Sequence, residues 1–342
     1  MVIDKKKVSI KEVAALSGVS IATVSRIIND NGRFSEETKK KVFDVIEKYG
    51  YTTNMAAKSL RQSRSQSIGM IVPDISNEFF ARISLDVEKY FYDKGYSVFI
   101  CNSTKSSEKE KQYFRSLDAK LVDGIVCISG QRNLPHELFT RNTPIVCIDR
   151  FPDHDKNIGI VSSDGVSGGY LATKHLLEAG CKDILHVVSA TGEYARHLRT
   201  EGYEKALYEY KIPLDPDKII HLSGKIPSVQ ESEALVDQCI VNGKKFDGIF
   251  SVSDRAAYGA LTSLKKHGIK VPEQVKIVGF DDSVYSQLSS PSITTVRQNT
   301  TLLAQTACEI LYHYITEEEE IKETDVVLPV ELIIRESTAV KY

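Results

Sequence analysis

Apolar residues along this chain recur with two different periods, and the change from one to the other divides it. Over residues 8–29, VSIKEVAALSGVSIATVSRIIN, the spacing is helical. Ile10, Val13, Ala14 and Leu16 form one apolar face, and Val24, Ile27 and Ile28 form a second that packs against it. Ser9 and Glu12 make an S-x-x-E capping box, Gly18 ends the first helix where a residue without Cβ is needed, and Ser20 caps the second. A third helix follows, capped by Ser35, with Glu36 and Glu37 at its positive end and Gly50 closing it. Val42, Phe43, Val45 and Ile46 turn to the core. Past residue 66 the pattern becomes short apolar runs: SIGMIV, YSVFIC, GIVCIS, PIVCID, IGIVSS, DILHVV, IIHLS, DGIFSVS, VKIVGF, ITTVRQ and DVVLPVELII. Helical stretches lie between them, including residues 82–94, 168–178, 199–210, 228–242 and 256–267. The alternation predicts parallel sheets with helices on both faces, and about 275 residues suffice for two α/β lobes.

The first two helices and their turn read as a helix-turn-helix. The second leaves Ile21, Ala22, Ser25, Arg26 and Asn29 outward: short side chains, one guanidinium and one amide. Such a helix fits a DNA major groove, with Arg26 offering two donors to a guanine edge. Helix-turn-helices also occur as plain αα-corners, and charge separates the two readings. Residues 1–66 hold thirteen Lys/Arg against seven Asp/Glu, a net of +6; the whole chain is at −2, so the remainder carries −8. A basic head on an acidic body is the footprint of a nucleic-acid-binding module joined to something else. Lys5 to Lys7 and Lys39 to Lys41 are the expected phosphate contacts.

In the body, chemistry collects at strand ends, where open α/β folds bind ligands. Asn77, Phe79 and Phe80 follow the first apolar run in PDISNEFF. Asp149 and Arg150 end another, Asp164 a third, and Arg199 opens a helix. Ser253 with Asp254 follows GIFSV, Asp281 with Asp282 follows VKIVGF, and Gln298 follows ITTV. Sugars require this mixture: aromatic faces for the CH side of a ring, and carboxylates, amides and guanidinium for adjacent hydroxyls. The six cysteines are widely spaced, with no C-x-x-C, which predicts reduced core thiols and no metal. No run reaches membrane-spanning length and no signal peptide precedes the basic head, so a cytoplasmic protein without membrane association is expected.

The order V-S-I-K-E-V-A…G-V-S…T-V-S-R-I-I-N, then S-E-E-T…Y-G-Y…N…A-x-S-L, resembles the lactose-repressor (LacI/GalR) family of bacterial regulators. The likeness runs through the whole chain, whose remainder resembles the two-lobed periplasmic sugar-binding fold. The resemblance implies a headpiece over residues 1–53, a hinge helix and linker over 54–66, and an effector and dimerisation domain over 67–342. Lobe 1 is then about 67–161 with 295–325 and lobe 2 about 162–294 with 326–342, crossing near 160–162, 294–296 and 325–327. It implies that Ser9, Ser20, Ile21, Ala22, Thr23, Ser25, Arg26, Asn29, Arg33 and Tyr51 meet DNA. With them go Asn54, Ala57, Lys58 and Arg61 of the hinge, and Leu60, which matches an apolar wedge entering the minor groove. Asn77, Phe79, Phe80, Asp149 with Arg150, Arg199, Asp281 and Gln298 match sugar-binding positions of the family. Ser253 departs from it, since relatives often carry asparagine there. A ribose-like pentose or a hexose is the expected effector, no cofactor is expected, and a purine fits the D-R pair and Phe79-Phe80 less well.

The mechanism implied is a homodimer on a palindromic operator, released when the sugar reorients the lobes and unpairs the hinge helices. Two other readings stand beside it. Gly165 to Gly169 satisfies G-x-S-x-G between a strand and a helix, the setting of a serine hydrolase, with His186, His221 or His267 to complete a triad. A phosphoprotein corepressor, as in catabolite control, is compatible with the Ile21-Ala22 start of the second helix. Glu317 to Glu320 reads as a solvated loop with no heptad tail after it, which argues for a dimer rather than a tetramer.

Overall fold

Among the described residues three helices, α1 (Ile10–Ser17), α2 (Ile21–Ile28) and α3 (Glu36–Tyr49), build the amino-terminal unit. The computed structural model describes residues 8–28, 30–51, 64–128, 134, 141–152, 158–189, 194–316 and 325–339. It divides at residue 65 into two compact units. Lys5 to Lys7, Asn29, the expected hinge with Asn54, Ala57, Lys58, Leu60 and Arg61, and Glu317 to Glu320 lie outside the described residues.

In the first unit the capping box of α1 forms as read: the Ser9 amide donates to Glu12 Oε2 at 2.7 Å and the Glu12 amide to Ser9 Oγ at 3.4 Å. Gly18 sits at φ 67°, a left-handed turn that costs glycine nothing. Val13, Ala14, Val24, Ile27 and Val42 form the core. Leu16 and Phe43, expected inside, are 49% and 43% exposed. A helix of two turns offers only a narrow buried stripe, and Val13 and Ala14 already fill that of α1.

The described residues of the second unit form two six-stranded sheets. The first is built from β1 (Ser67–Val72), β2 (Ser97–Asn102), β3 (Gly124–Ile128), β4 (Ile145–Ile148), β5 (Ile158–Ser163) and β11 (Asp325–Leu328), in the order β2-β1-β3-β4-β5-β11. The second comprises β6 (Ile184–Ser189), β7 (Ile219–Leu222), β8 (Gly248–Ser251), β9 (Lys276–Phe280), β10 (Thr294–Gln298) and β12 (Val330–Ile333), in the order β7-β6-β8-β9-β10-β12. The same order occurs twice. Every pairing is parallel except β10 with β12.

Each sheet is covered on both faces, which is why its strands read as continuous apolar runs. Helix α4 (Glu78–Asp93) and helix α11 (Thr300–Thr316) share one core with β1, β3 and β4, while α5 (Ser107–Ala119) covers the other side through Phe114 and Leu117. In lobe 2, α8 (Ser228–Val241) and α9 (Asp254–Lys266) pack on one face, and α6 (Gly165–Glu178) and α7 (Tyr194–Glu209) on the other. A short helix, α10 (Val284–Leu288), follows β9.

The lobe crossings fall later than expected. Thr294–Gln298 is a strand of the second sheet, so the chain changes lobes at Asn299, between β10 and α11. The run DVVLPVELII is two strands rather than one. Pro329, with no amide to continue a ladder, ends β11 in lobe 1 and passes the chain to β12 in lobe 2. The first crossing is Asp164, whose amide donates to the Leu328 carbonyl at 2.8 Å.

Candidate nucleic-acid interface and interlobe cleft

On α2, burial of Val24 and Ile27 fixes which side chains face outward: Ile21, Ala22 and Arg26 are exposed, and Thr23 and Ser25 are half-buried. Ser20 Oγ accepts from the Thr23 amide at 3.0 Å and lies 2.9 Å from Thr23 Oγ1, so both hydroxyls serve the helix start. Arg33 is exposed, whereas Tyr51 packs half-buried against the headpiece core. Two of the lysines expected at phosphates have carboxylate partners: Lys39 meets Asp30 at 3.1 Å and Lys41 meets Glu37 at 2.8 Å. Lys40 is exposed on the same helix.

In the second unit a cavity of about 120 Å³ lies between the lobes. Lobe 1 sends in Asn77, Phe79 and Phe80 from the start of α4, and Asp149 from the end of β4. Asn77 caps α4, its Oδ1 accepting from the Phe79 amide at 3.2 Å, and the two phenyl rings meet edge to face at 5.4 Å. Lobe 2 sends in Arg199 from α7, Ser253 from the start of α9, and Asp281 from the end of β9. Arg199 is held three ways: Nη1 donates to the Val252 carbonyl, its guanidinium lies 3.8 Å from the centre of the Phe280 ring, and Asp281 Oδ1 is 3.8 Å away. Cation–π stacking and a carboxylate fix a planar guanidinium with one edge toward the cavity.

The two aspartates are placed by the same device. Asp149, at φ 50°, donates its amide to the Val161 carbonyl at 3.0 Å, and its Oδ1 accepts from the Ser163 amide at 3.1 Å. Asp281, at φ 108°, donates to the Val296 carbonyl at 2.8 Å, and its Oδ1 accepts from Gln298 Nε2 at 2.7 Å. In each lobe the carboxylate is gripped two residues beyond the carbonyl that grips its amide.

Three expected contacts do not line the cavity. The Arg150 guanidinium is buried against Glu110 at 2.9 Å and Cys127 Sγ at 2.8 Å, within lobe 1. Asp164 caps α6, accepting from the Ser167 amide at 2.9 Å and its hydroxyl at 2.6 Å. Gln298, 3% exposed, reaches the cavity only through its bond to Asp281. The G-x-S-x-G segment serves packing. A Cβ on Gly168 would lie 2.7 Å from Phe280, and one on Gly169 would lie 2.0 Å from the Arg199 carbonyl oxygen. His186 is bonded to the Phe250 carbonyl and Thr200, and His267 to Asp237, while Ser167 is occupied by Asp164.

Four charged lining residues had escaped the sequence reading: Asp74, Lys105, Glu231 and Arg255. Asp74 falls inside the PDISNEFF strand end and Arg255 directly after Ser253-Asp254, but Lys105 and Glu231 lie in a loop and a first helical turn with no local signal. Glu231 accepts from the Ser223 amide at 2.7 Å and the Gly224 amide at 3.0 Å. Burial would raise its pKa, but these bonds and the Lys105 charge outweigh that and hold it below the ordinary value. Asp254, beneath the cavity floor, is driven the other way. Burial and the neighbouring Asp281 push it up to about 7, although Thr295 Oγ1 donates to it at 2.6 Å and the Ser283 amide at 2.7 Å.

Residues 9–54 match the family described as bacterial regulatory proteins, lacI family, and residues 173–338 match a periplasmic binding protein-like domain. The HTH-type transcriptional regulator RegA of Clostridium saccharobutylicum is 37% identical over 96% of this chain and 99% of its own length. The chain belongs to the lacI family of regulators. The ribose operon repressor of Halalkalibacterium halodurans is 33% identical over 96% of this chain and 97% of its own. A solved regulator of Alkaliphilus metalliredigens, in complex with D-xylulofuranose, is 34% identical with a TM-score of 0.71, over 80% of this chain and all of its own. A helix-turn-helix followed by a two-lobed periplasmic-binding-protein-like body is therefore the family architecture. Among the described residues no helix is long and apolar enough to cross a membrane.

Proposed function

We propose that this regulator is a homodimeric, cytoplasmic transcriptional repressor whose operator affinity is set by an uncharged pentose bound between the lobes. One observation carries the effector reading. Asp149 and Asp281, fixed by the same device in opposite lobes, meet Arg199, Asn77 and the Phe79-Phe80 pair at one cavity. Carboxylates and a guanidinium bond vicinal hydroxyls while phenyl faces take ring CH groups. The charge balance favours a neutral ligand. Among the described residues the lining cations Lys105, Arg199 and Arg255 stand against four carboxylates, Asp74, Asp149, Glu231 and Asp281, a balance that leaves no surplus there for a phosphate. The ribose operon repressor and the D-xylulofuranose complex among the relatives support a pentose.

The DNA side rests on the outward face of α2, with Arg26 as base reader, and on residues 54–66 as the hinge that transmits the signal. A sugar changes DNA affinity only through its differential affinity for two lobe arrangements. The test is titration calorimetry of the full-length protein with D-ribose, D-xylulose, ribose 5-phosphate and purine bases, beside anisotropy on an operator selected by binding-site enrichment. A pentose should bind and weaken operator binding, and the phosphate should not bind. Asp281→Ala should hold DNA yet lose the response. Tighter binding of the phosphate or a purine, or an unchanged response in Asp281→Ala, overturns the assignment.

A further inference from the structure

On the rim of the cavity two contacts join the lobes and, completed by one contact within lobe 2 and a turn within lobe 1, form a closed ring. Glu78, the first residue of α4 in lobe 1, accepts through Oε2 from the Val284 amide in lobe 2 at 2.6 Å. Val284 opens α10, whose own preceding residue, Ser283, makes no side-chain cap bond, so the cap is supplied from across the cleft. Tyr285, next in α10, has its ring centre 6.0 Å from the Arg255 guanidinium carbon. Arg255 Nη1 in turn reaches back to Asp74 Oδ2 in lobe 1 at 3.6 Å. Asp74 and Glu78 are tied by a tight turn, in which the Asn77 amide donates to the Asp74 carbonyl at 3.0 Å and Ser76 Oγ to Asp74 Oδ1 at 2.6 Å.

We propose that this ring, through Asp74, Glu78, Val284, Tyr285 and Arg255, is a latch that sets how firmly the lobes close over the cavity. The ring is continuous with the cavity: Asp74 and Arg255 line it themselves, Glu78 follows the lining Asn77, and Val284 and Tyr285 come three and four residues after the lining Asp281. A ligand drawing Asn77 and Asp281 together therefore drives the ring shut, and opening the ring separates the same residues. The charged members are partly exposed, with side chains 33%, 25% and 23% accessible for Asp74, Glu78 and Arg255. Attraction across such a rim is screened by salt, so closure weakens as ionic strength rises.

The decisive measurement is hydrogen exchange on the full-length protein without ligand, read on peptides spanning residues 283–289 and 74–82. Glu78→Ala should raise exchange at 283–289 by about tenfold, the worth of one charge-assisted bond. Arg255→Ala touches neither the Val284 amide nor Glu78, yet it should raise exchange in both peptides. Glu78→Gln, which keeps an acceptor, should restore protection. If Arg255→Ala leaves 283–289 within twofold of the parent, the contacts are independent and the latch is refuted. A second arm titrates D-ribose and D-xylulose at low and high salt. The parent should lose affinity with salt, while Glu78→Ala should bind about tenfold more weakly with a flattened salt response. This arm rests on the pentose reading. A parent that binds neither sugar overturns that reading, while the exchange data still decide the latch.

Discussion

Gly202 is the position at which a single methyl group should most damage the effector site from a distance. It lies on α7 against the backbone of α6, and a Cβ built there would sit 2.1 Å from the Val166 carbonyl oxygen and 2.5 Å from the Tyr170 amide nitrogen. Non-bonded heavy atoms rest near about 3.5 Å, so the two helices must part by more than about 1 Å. Neither obstacle is a side chain that could swing aside. Tyr203, Ala206 and Leu207 behind it are buried in the core shared with Phe250 and Phe280, so parting the helices loosens that core too. Overpacking of this kind costs about 1–3 kcal/mol, and backbone-to-backbone contact argues for the upper end. At roughly 2–4 °C per kcal/mol in a domain of this class, Gly202→Ala should melt about 6–12 °C below the parent in calorimetry. The same displacement moves Arg199, three residues earlier, off the Phe280 ring and away from the Val252 carbonyl, so pentose affinity should fall at least about tenfold. Glu201→Ala, on the exposed side of the same helix, serves as the control. A Gly202→Ala protein melting within about 2 °C of the parent would show that the close approach relaxes cheaply, and the argument from backbone contact would fail.

Burial pushes His186 down to about 3, so the unfolded chain takes up this proton first, between pH 6.5 and 3. Its contribution is whole above pH 6.5 and lost on acidification: urea unfolding should show the parent losing about 2 kcal/mol more than His186→Gln between pH 7 and 5, and parallel losses would contradict it. Glu110→Ala strands the Arg150 guanidinium, whose side chain is 1% exposed, and should cost about 3–5 kcal/mol in denaturant melts. The double change Glu110→Leu with Arg150→Met should cost less than that single one, and a larger cost would mean that Arg150 has a further role. Arg26→Ala should relax base preference and cost about 1–3 kcal/mol per half-site in operator competition, and undiminished discrimination would remove Arg26 from the readout.

Local chemistry was legible wherever it is contained in a few consecutive residues. The Ser9–Glu12 box, the left-handed Gly18 and the strand-end aspartates could be read because capping and turn formation are short-range. Helix α5 left little trace because Glu110 and Asp118 are buried beside Phe114 and Leu117, which blurs its apolar face. Arg150 and Asp164 were misplaced for a related reason. A residue at a strand end can turn to the cleft or back into its own lobe, and what turns Arg150 back is Glu110, forty residues away. Lys105 and Glu231 were invisible because the cleft joins a loop of one lobe to a helix start of the other, a pairing that no local pattern encodes.

The repeated strand-end device gives a physical reason for the effector to act on lobe geometry at all. Asp149 and Asp281 hold φ 50° and 108°, conformations that cost a non-glycine residue about 1–3 kcal/mol and persist only when the surroundings over-determine them. In each lobe that strain is offset by an amide bond to the adjacent strand and a donor on the carboxylate, so each oxygen is rigid relative to its own sheet. A small polyol bonded by both carboxylates can satisfy them at only one lobe separation. Its affinity therefore differs between lobe arrangements, which is the one property an allosteric ligand must have. The two positions should then behave unlike ordinary contacts. Asp149→Gly relieves its backbone strain but orphans the Ser163 amide, so the two effects should offset to within about 1–2 kcal/mol in the unliganded fold, yet it should uncouple sugar binding from operator release, because the remaining carboxylate reports on one lobe alone. An Asp149→Gly protein that bound sugar more weakly but still released operator fully at saturation would place the coupling elsewhere.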